Sequence, residues 1–267
     1  MNKLKNAIDI FKLLQKTNCK KCNEKTCLAF AVAVYKKKKK LRDCPFIDKE
    51  ILKKYQDKID DPRTYEEDIF NIKNDLLNKL KSLDLSSIAE KIGGKFFNNK
   101  LTLKICGKDF SIDQNRKFSS DIHIHHWIVL PLLDYIIEGS GDKIVGKWIP
   151  FRELKDGRER NSLYVSKCEM PLKKIADTYT DLFEDMIHLF DGKQIEKHFD
   201  ADISLVLHPL PKVPILICYW KPEDNLESSL NIFYDVSSEK NIHIEYLYTL
   251  VTGLVRMFEK ISLRHGY

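Results

Sequence analysis

What the chain lacks narrows it first. No apolar run approaches the ~18 residues that a membrane-spanning helix needs. The longest, Trp127 to Ile137, is interrupted by Pro131 and Asp134. A secretory leader is not expected either, because Asp9 and Lys12 break the apolar positions of the first segment. Glycine pairs such as Gly93-Gly94 fit neither a phosphate loop nor a dinucleotide fingerprint. No Ser-His-Asp or Cys-His arrangement can be recognised from spacing, and no internal repeat is evident. These absences lead to the expectation of a cytoplasmic protein with no membrane span. Disulfides are disfavoured in that compartment, so a cysteine cluster there reads as metal-binding or redox-active.

What is present is unevenly spread. The 267 residues are 43% apolar and 31% charged, enough for a core and a well-solvated surface. Net charge is +6, but residues 1–60 hold 17 Lys or Arg against 7 Asp or Glu. A basic head on a mildly acidic body suggests a docking face on the head. In that head stand Cys19, Cys22, Cys27 and Cys44, with two, four and sixteen residues between successive cysteines.

Leu4, Ile8, Phe11 and Leu14 predict a short amphipathic helix over residues 3–15. A polar loop carrying Cys19 and Cys22 follows. Thr26 is a cap for a second helix starting at Cys27, where free amides and the dipole favour a thiolate. About ten helical residues and a return loop bring Cys44-Pro45 back beside the other three. Four thiolates, with a close pair, a third nearby and a distant fourth before proline, suit an iron–sulfur cluster. A [4Fe–4S] cluster is the first expectation. Zinc is the runner-up, though its structural sites usually show two close pairs; a [2Fe–2S] centre stands behind it. The run Lys36–Lys40 reads first as a solvated helix end and second as a patch for an acidic electron donor such as a ferredoxin. Nucleic acid is not an expected partner, since one lysine run without a recognition motif is a poor signal.

Residues 13–46, from Leu-Leu-Gln-Lys-Thr-Asn-Cys-Lys-Lys-Cys through Asp-Cys-Pro-Phe, resemble the four-cysteine domain of the corrinoid iron–sulfur protein's large subunit. They also resemble a module in the B subunit of Rnf-type ferredoxin oxidoreductases. The resemblance implies a low-potential [4Fe–4S] cluster on Cys19, Cys22, Cys27 and Cys44. It further implies one-electron delivery, with a corrinoid protein as the acceptor. Asn23 stands where that family commonly has glycine, a mild departure because Asn tolerates left-handed turns.

The polar, proline-containing residues 57–68 mark a boundary, giving an iron–sulfur domain over 1–60 and a second domain over 66–267. Residues 66–91 read as helical with a break near Asp84. Three short strands follow, around Phe96-Phe97, Leu101–Cys106 and Phe110–Ile112. His123–Glu138 reads as a buried helix containing Pro131. A further helix starts at Met170 and ends at Asp191-Gly192. Asp202–Trp220 is a hairpin with a proline-rich turn, Leu230–Val236 a strand, and Ile242–Ile261 a closing helix. Helices and antiparallel strands without βαβ alternation predict an α+β fold, with a small helical head before a larger α+β domain. Pro131–Tyr135, Gly146–Leu154 and Asp202–Pro214 resemble a domain family of anaerobic prokaryotes often fused behind this cluster module. That resemblance implies an anaerobic redox setting and no particular reaction.

Other residues invite functional readings. His123, His125 and His126 are dense, but capping or packing suits them better than a second metal site. Cys106, Cys168 and Cys218 lie in apolar surroundings and read as buried small hydrophobes. Trp148, Arg152, Tyr219 and Trp220 could line a pocket, although core or rim packing is the more common fate. The expected function is single-electron transfer to a partner protein. Two alternatives remain: a redox enzyme with its active site in residues 66–267, and a binding module stabilised by zinc or a cluster.

Overall fold

The computed structural model describes residues 4–55, 65–179, 181–224 and 226–265. At the start, the Asn6 side chain accepts the Asp9 amide at 2.9 Å, capping α1 (Ala7–Lys12). The spacing predicted a longer helix burying Leu4, Ile8, Phe11 and Leu14. The structure buries Leu4, Ile10 and Leu14 and leaves Ile8 51% exposed. Leu4 precedes the first helical residue, so it does not share the helical lattice with Ile8. Thr26 caps α2 (Cys27–Tyr35) as expected, its hydroxyl accepting the Ala29 amide at 3.0 Å. Leu41–Asp43 forms a 3₁₀ turn. Asp48 then accepts the Glu50 amide at 2.7 Å and opens α3 (Lys49–Tyr55), a helix the sequence pattern did not reveal. Ile10, Leu14, Phe30, Ala31, Val34 and Leu41 make a small core, with Cys22, Cys27 and Cys44 packed against it.

The chain divides into two compact units, Met1–Phe70 and Asn71–Tyr267. The division falls within α4 (Tyr65–Leu80). Much of the expected connection, residues 57–68, lies outside the described residues. The break near Asp84 is present: its carboxylate accepts the Ser86 amide at 3.0 Å and caps α5 (Leu85–Ala89).

Four strands form an antiparallel meander: β1 (Lys95–Phe97), β2 (Lys100–Ile105), β3 (Lys108–Asp113) and β4 (Phe118–Ser120). Leu101 faces Ile112 and Leu103 faces Phe110 across β2 and β3, all four buried. Asn98 and Asn99 turn the first hairpin with φ of 48° and 59°, angles that Asn adopts more readily than most residues. Then come α6 (His126–Glu138), which holds Pro131 internally, and β5 (Trp148–Pro150). Next are α7 (Asn161–Tyr164), a π-turn at Val165–Glu169 and α8 (Met170–Thr178). Met170 therefore continues a helical path that begins earlier, rather than starting one. The segment expected as one helix down to Asp191 breaks after Thr178 and resumes as α9 (Leu182–Phe190).

A second sheet joins β6 (Lys193–Gln194), β7 (Ile203–Leu210), β8 (Val213–Trp220) and β9 (Ser229–Asp235) to β5, in the order β5-β9-β8-β7-β6 and antiparallel throughout. Central β8 is buried from Val213 to Tyr219 because both its faces are covered. On one face Ala201, Val206, Leu216 and Cys218 cluster under Trp148, Trp220 and Phe233, so the two tryptophans pack against core. The short α10 (Ser238–Asn241) leads into α11 (Ile244–His265). There Gly253 admits the Trp127 ring, which a Cβ would meet.

Buried polar groups lock this arrangement. Asp235 is fully buried and accepts the Gly146 amide at 2.6 Å, the Val145 amide at 3.1 Å and the Ser237 hydroxyl at 2.6 Å. Burial alone would raise its pKa, but these donors outweigh burial and hold it below the ordinary carboxylate range. Its stabilisation is therefore present above the unfolded carboxylate pKa and is lost as pH falls through the lower folded value. Asp235→Ala should destabilise the protein by about 3 kcal/mol, because three or more donors lose their acceptor. Denaturant titration checks this, and Asp235→Asn should show a flatter decline in stability below the ordinary carboxylate range than the natural chain.

Candidate metal centre

Cys19 and Cys22 lie on the loop before α2, Cys27 is the first residue of α2, and Cys44 follows the 3₁₀ turn. All four line one small cavity that opens to solvent, floored by Leu14 and Phe30. The loop reaches this shape by left-handed residues: Lys16, Asn18, Lys20 and Asn23 have φ of 58°, 49°, 61° and 58°. Such turns are unfavourable for most side chains, so hydrogen bonds must hold them.

Asn18 and Cys27 supply one reciprocal pair. The Asn18 amide donates to Cys27 Sγ at 3.3 Å, and Asn18 Oδ1 accepts the Cys27 amide at 2.8 Å. Lys39 supplies a second tie. Its ammonium donates to the Cys22 carbonyl and pairs with Glu24 at 3.1 Å. One member of the lysine run thus closes the cysteine loop instead of facing solvent. Sequence spacing gave no signal for Lys39, because four identical neighbours hide the one that turns inward. Asn18 was legible only as a turn residue beside a cysteine.

The sulfurs differ in surroundings. Cys19 is exposed, and the other three are partly buried. The Lys21 amide lowers the Cys19 pKa against the opposing effect of burial, with a further contribution from the Thr17 hydroxyl. Burial pushes the Cys44 thiol up, against a bond from the Phe46 amide, and the other three cysteines push it further. Four thiols that repel one another's negative charge favour a shared cation. Among the described residues, no three His, Cys, Asp or Glu are grouped as ligands of a single ion would be; the four thiols stand around the cavity. The donor set fits a cage of iron and sulfide, which takes four thiolates. No imidazole lines the cavity, and its one carboxylate, Glu24, is neutralised by Lys39.

The body residues play structural parts. His125 caps α6, accepting the Trp127 amide at 3.5 Å, and its ring lies 4.1 Å from that of His126 and 6.1 Å from that of His123. Burial lowers the pKa of both His125 and His126. Burial holds Cys106 and Cys168 as thiols with pKa raised to about 12, and Cys218 as one raised to about 11. Tyr219 donates to Asp177 at 2.9 Å. A pair that the spacing did not reveal is Asp134 with His243: the His243 amide donates to Asp134 at 2.9 Å, and its Nδ1 lies 2.8 Å from the other oxygen.

A four-thiol cavity in a small helical unit marks the head as a metal-centre domain of the iron–sulfur kind. Residues 14–46 match the family model described as "Putative Fe-S cluster". Residues 84–257, well over half of the chain, match "Domain of unknown function (DUF3786)", and the chain belongs to that family. The acetyl-CoA decarbonylase/synthase complex subunit gamma of Methanothermobacter thermautotrophicus is 54% identical over 39 residues, 15% of this chain and 8% of that subunit. The subunit of the same description from Methanocaldococcus jannaschii is 42% identical over 59 residues, 22% of this chain and 12% of that one. The chain thus spans only a small part of these relatives' length, and no solved structure matches it. No described helix is long and apolar enough to cross a membrane.

Asn18→Gly keeps the left-handed turn and deletes the Oδ1 acceptor. Hydrogen exchange of the Cys27 amide should speed up about tenfold, the effect of one lost hydrogen bond. The Ala29 amide, held by Thr26, should exchange as before.

Proposed function

We propose that this chain binds one low-potential [4Fe–4S] cluster through Cys19, Cys22, Cys27 and Cys44 and exchanges single electrons with a partner protein. In this reading residues 1–60 are the iron–sulfur domain, and residues 66–267 select the partner. The setting is anaerobic metabolism in the cytoplasm, with a ferredoxin-like donor and a corrinoid protein as acceptor. The observation that carries it is the gathering of four separated cysteines around one cavity.

When bound, the cluster supplies one reversible electron without proton chemistry. The chain's own residues do the rest. Leu14 and Phe30 keep water from the inner side of the cavity. Asn18 fixes Cys27 at the start of α2, where unpaired amides favour a thiolate. Lys39 holds the Cys22 carbonyl and so sets the loop's closure. The relatives' name, a subunit of a complex, supports a protein partner rather than a small substrate.

Anaerobic reconstitution with iron and sulfide should give a brown protein with about four irons per chain and an electron-spin signal on strong reduction. Replacing any one of the four cysteines by serine should abolish that signal, whereas Cys218→Ser should keep it. A colourless protein that retains zinc would overturn the proposal.

A further inference from the structure

The lysine run is the obvious electrostatic feature, and its Lys39 is held against the cysteine loop. Between residues 15 and 46 stand ten Lys or Arg against two acids. Within the run, Lys39 is committed to Glu24 and the Cys22 carbonyl, while Lys36 and Lys38 are exposed past the far end of α2 from Cys27. The cavity's mouth has its own lysines. Lys20 lines it. Lys21 lies 4.9 Å over the ring of Phe46, a lining residue that is 38% exposed. Lys16, between the lining residues Gln15 and Thr17, places its ammonium 5.5 Å over the ring of Phe11, which does not line the cavity.

Cys19, the exposed thiol, opens at the same rim. Electron transfer weakens steeply with distance, so a partner gains most by seating where the sulfur meets the surface. An apolar ring framed by cations is also the pattern of a partner interface: an apolar contact for affinity and charges for steering.

We propose that the mouth of the four-cysteine cavity, with Lys20, Lys21 and the Phe46 ring, is the docking face for an acidic electron-carrier protein. This rests on the cluster reading above and names its partner's surface. Apart from Lys39, which closes the cysteine loop, the run Lys36–Lys40 contributes only general positive charge.

The test compares Lys20→Glu/Lys21→Glu with Lys36→Glu/Lys38→Glu, which change net charge equally. The probe is a small, strongly acidic bacterial ferredoxin. Its affinity is read by calorimetry on the purified full chain at several salt concentrations, and its rate of electron delivery by stopped flow. The rim variant should lose at least tenfold in affinity and show a flatter salt dependence; the run variant should lose less than threefold. Lys20→Gln/Lys21→Gln gives the same comparison should charge reversal prevent folding. Equal losses in the two variants, or none in the rim variant, would overturn the proposal. Iron content is measured separately, and the affinity arm does not require a reducible cluster. Failure of anaerobic reconstitution to load iron would remove the cluster reading, whereas rim-dependent binding of the ferredoxin tests the docking face by itself.

Discussion

Four thiols can face one cavity only if the loop that carries two of them folds back over the first turn of the helix that carries the third. Everything in the head serves that constraint. Thr26 fixes where α2 begins, Asn18 ties the loop to that beginning, and Lys39 closes it from the other end of the helix. The core beneath is small, a handful of side chains around Ile10, Phe30 and Val34. Units of this size bury too little apolar surface to be strongly stable alone and commonly rely on a metal or cross-link. Thiols brought together without a cation also repel once ionised. Binding a metal cage would remove that repulsion and add its own free energy to folding. With a cluster bound as proposed, function and stability would draw on the same four sulfurs.

The body is held differently, by buried polar groups that bond one another, the Ser238 hydroxyl being the exception among the described residues. The three segments that carry its family resemblance turn out to be architectural. In Pro131–Tyr135, Asp134 caps the start of α11 through His243, and the Tyr135 hydroxyl donates to the Ile92 carbonyl at 2.6 Å while accepting the Lys212 amide at 3.2 Å. In Gly146–Leu154, the Gly146 amide meets Asp235. In Asp202–Pro214, the hairpin tip presents the Lys212 carbonyl to Asn241, whose amide nitrogen also reaches the Asp142 and Ser237 carbonyls. A network of this kind is costly if any member goes unpaired, so it specifies one arrangement of helices and hairpin. The residues that looked distinctive in the sequence are distinctive because they build the fold.

That explains what the sequence disclosed. Local chemistry was readable: the Thr26 cap, the break at Asp84, the proline-rich hairpin and the end of α9 at Asp191 each follow from a residue type acting on its own backbone. Elements set by distant partners were not readable. β6 is two residues long and exists only because β7 lies beside it. The π-turn at Val165–Glu169 has no sequence mark; it buries Cys168 and brings the Glu169 carboxylate to the Ile232 amide at 3.0 Å. The spacing of Leu4 and Ile8 misled because periodicity cannot show that a helix starts between them. Of the metal centre, the cysteines were evident and the groups that position them were not.

The head's electrostatics add a last constraint. Donors aimed at the sulfurs, from the amides of Lys21, Asn18 and Phe46, stabilise negative charge at the thiolates. So does the ammonium of Lys39 on the Cys22 carbonyl. Each makes an added electron easier to accept and pulls a cluster's potential upward. Burial of three of the four cysteines pulls the other way, because a more negative cage is disfavoured away from water. A low potential therefore requires that burial outweigh the donors. The geometry restricts where that balance could be shifted. Cys19 alone is exposed, and its rim is the lysine-rich one, so a protein seated there would remove water from the last wet sulfur while its acids offset the nearby cations. Both changes would make a reduced cage less favourable, so an electron would be held more firmly after the carrier leaves than while it is docked.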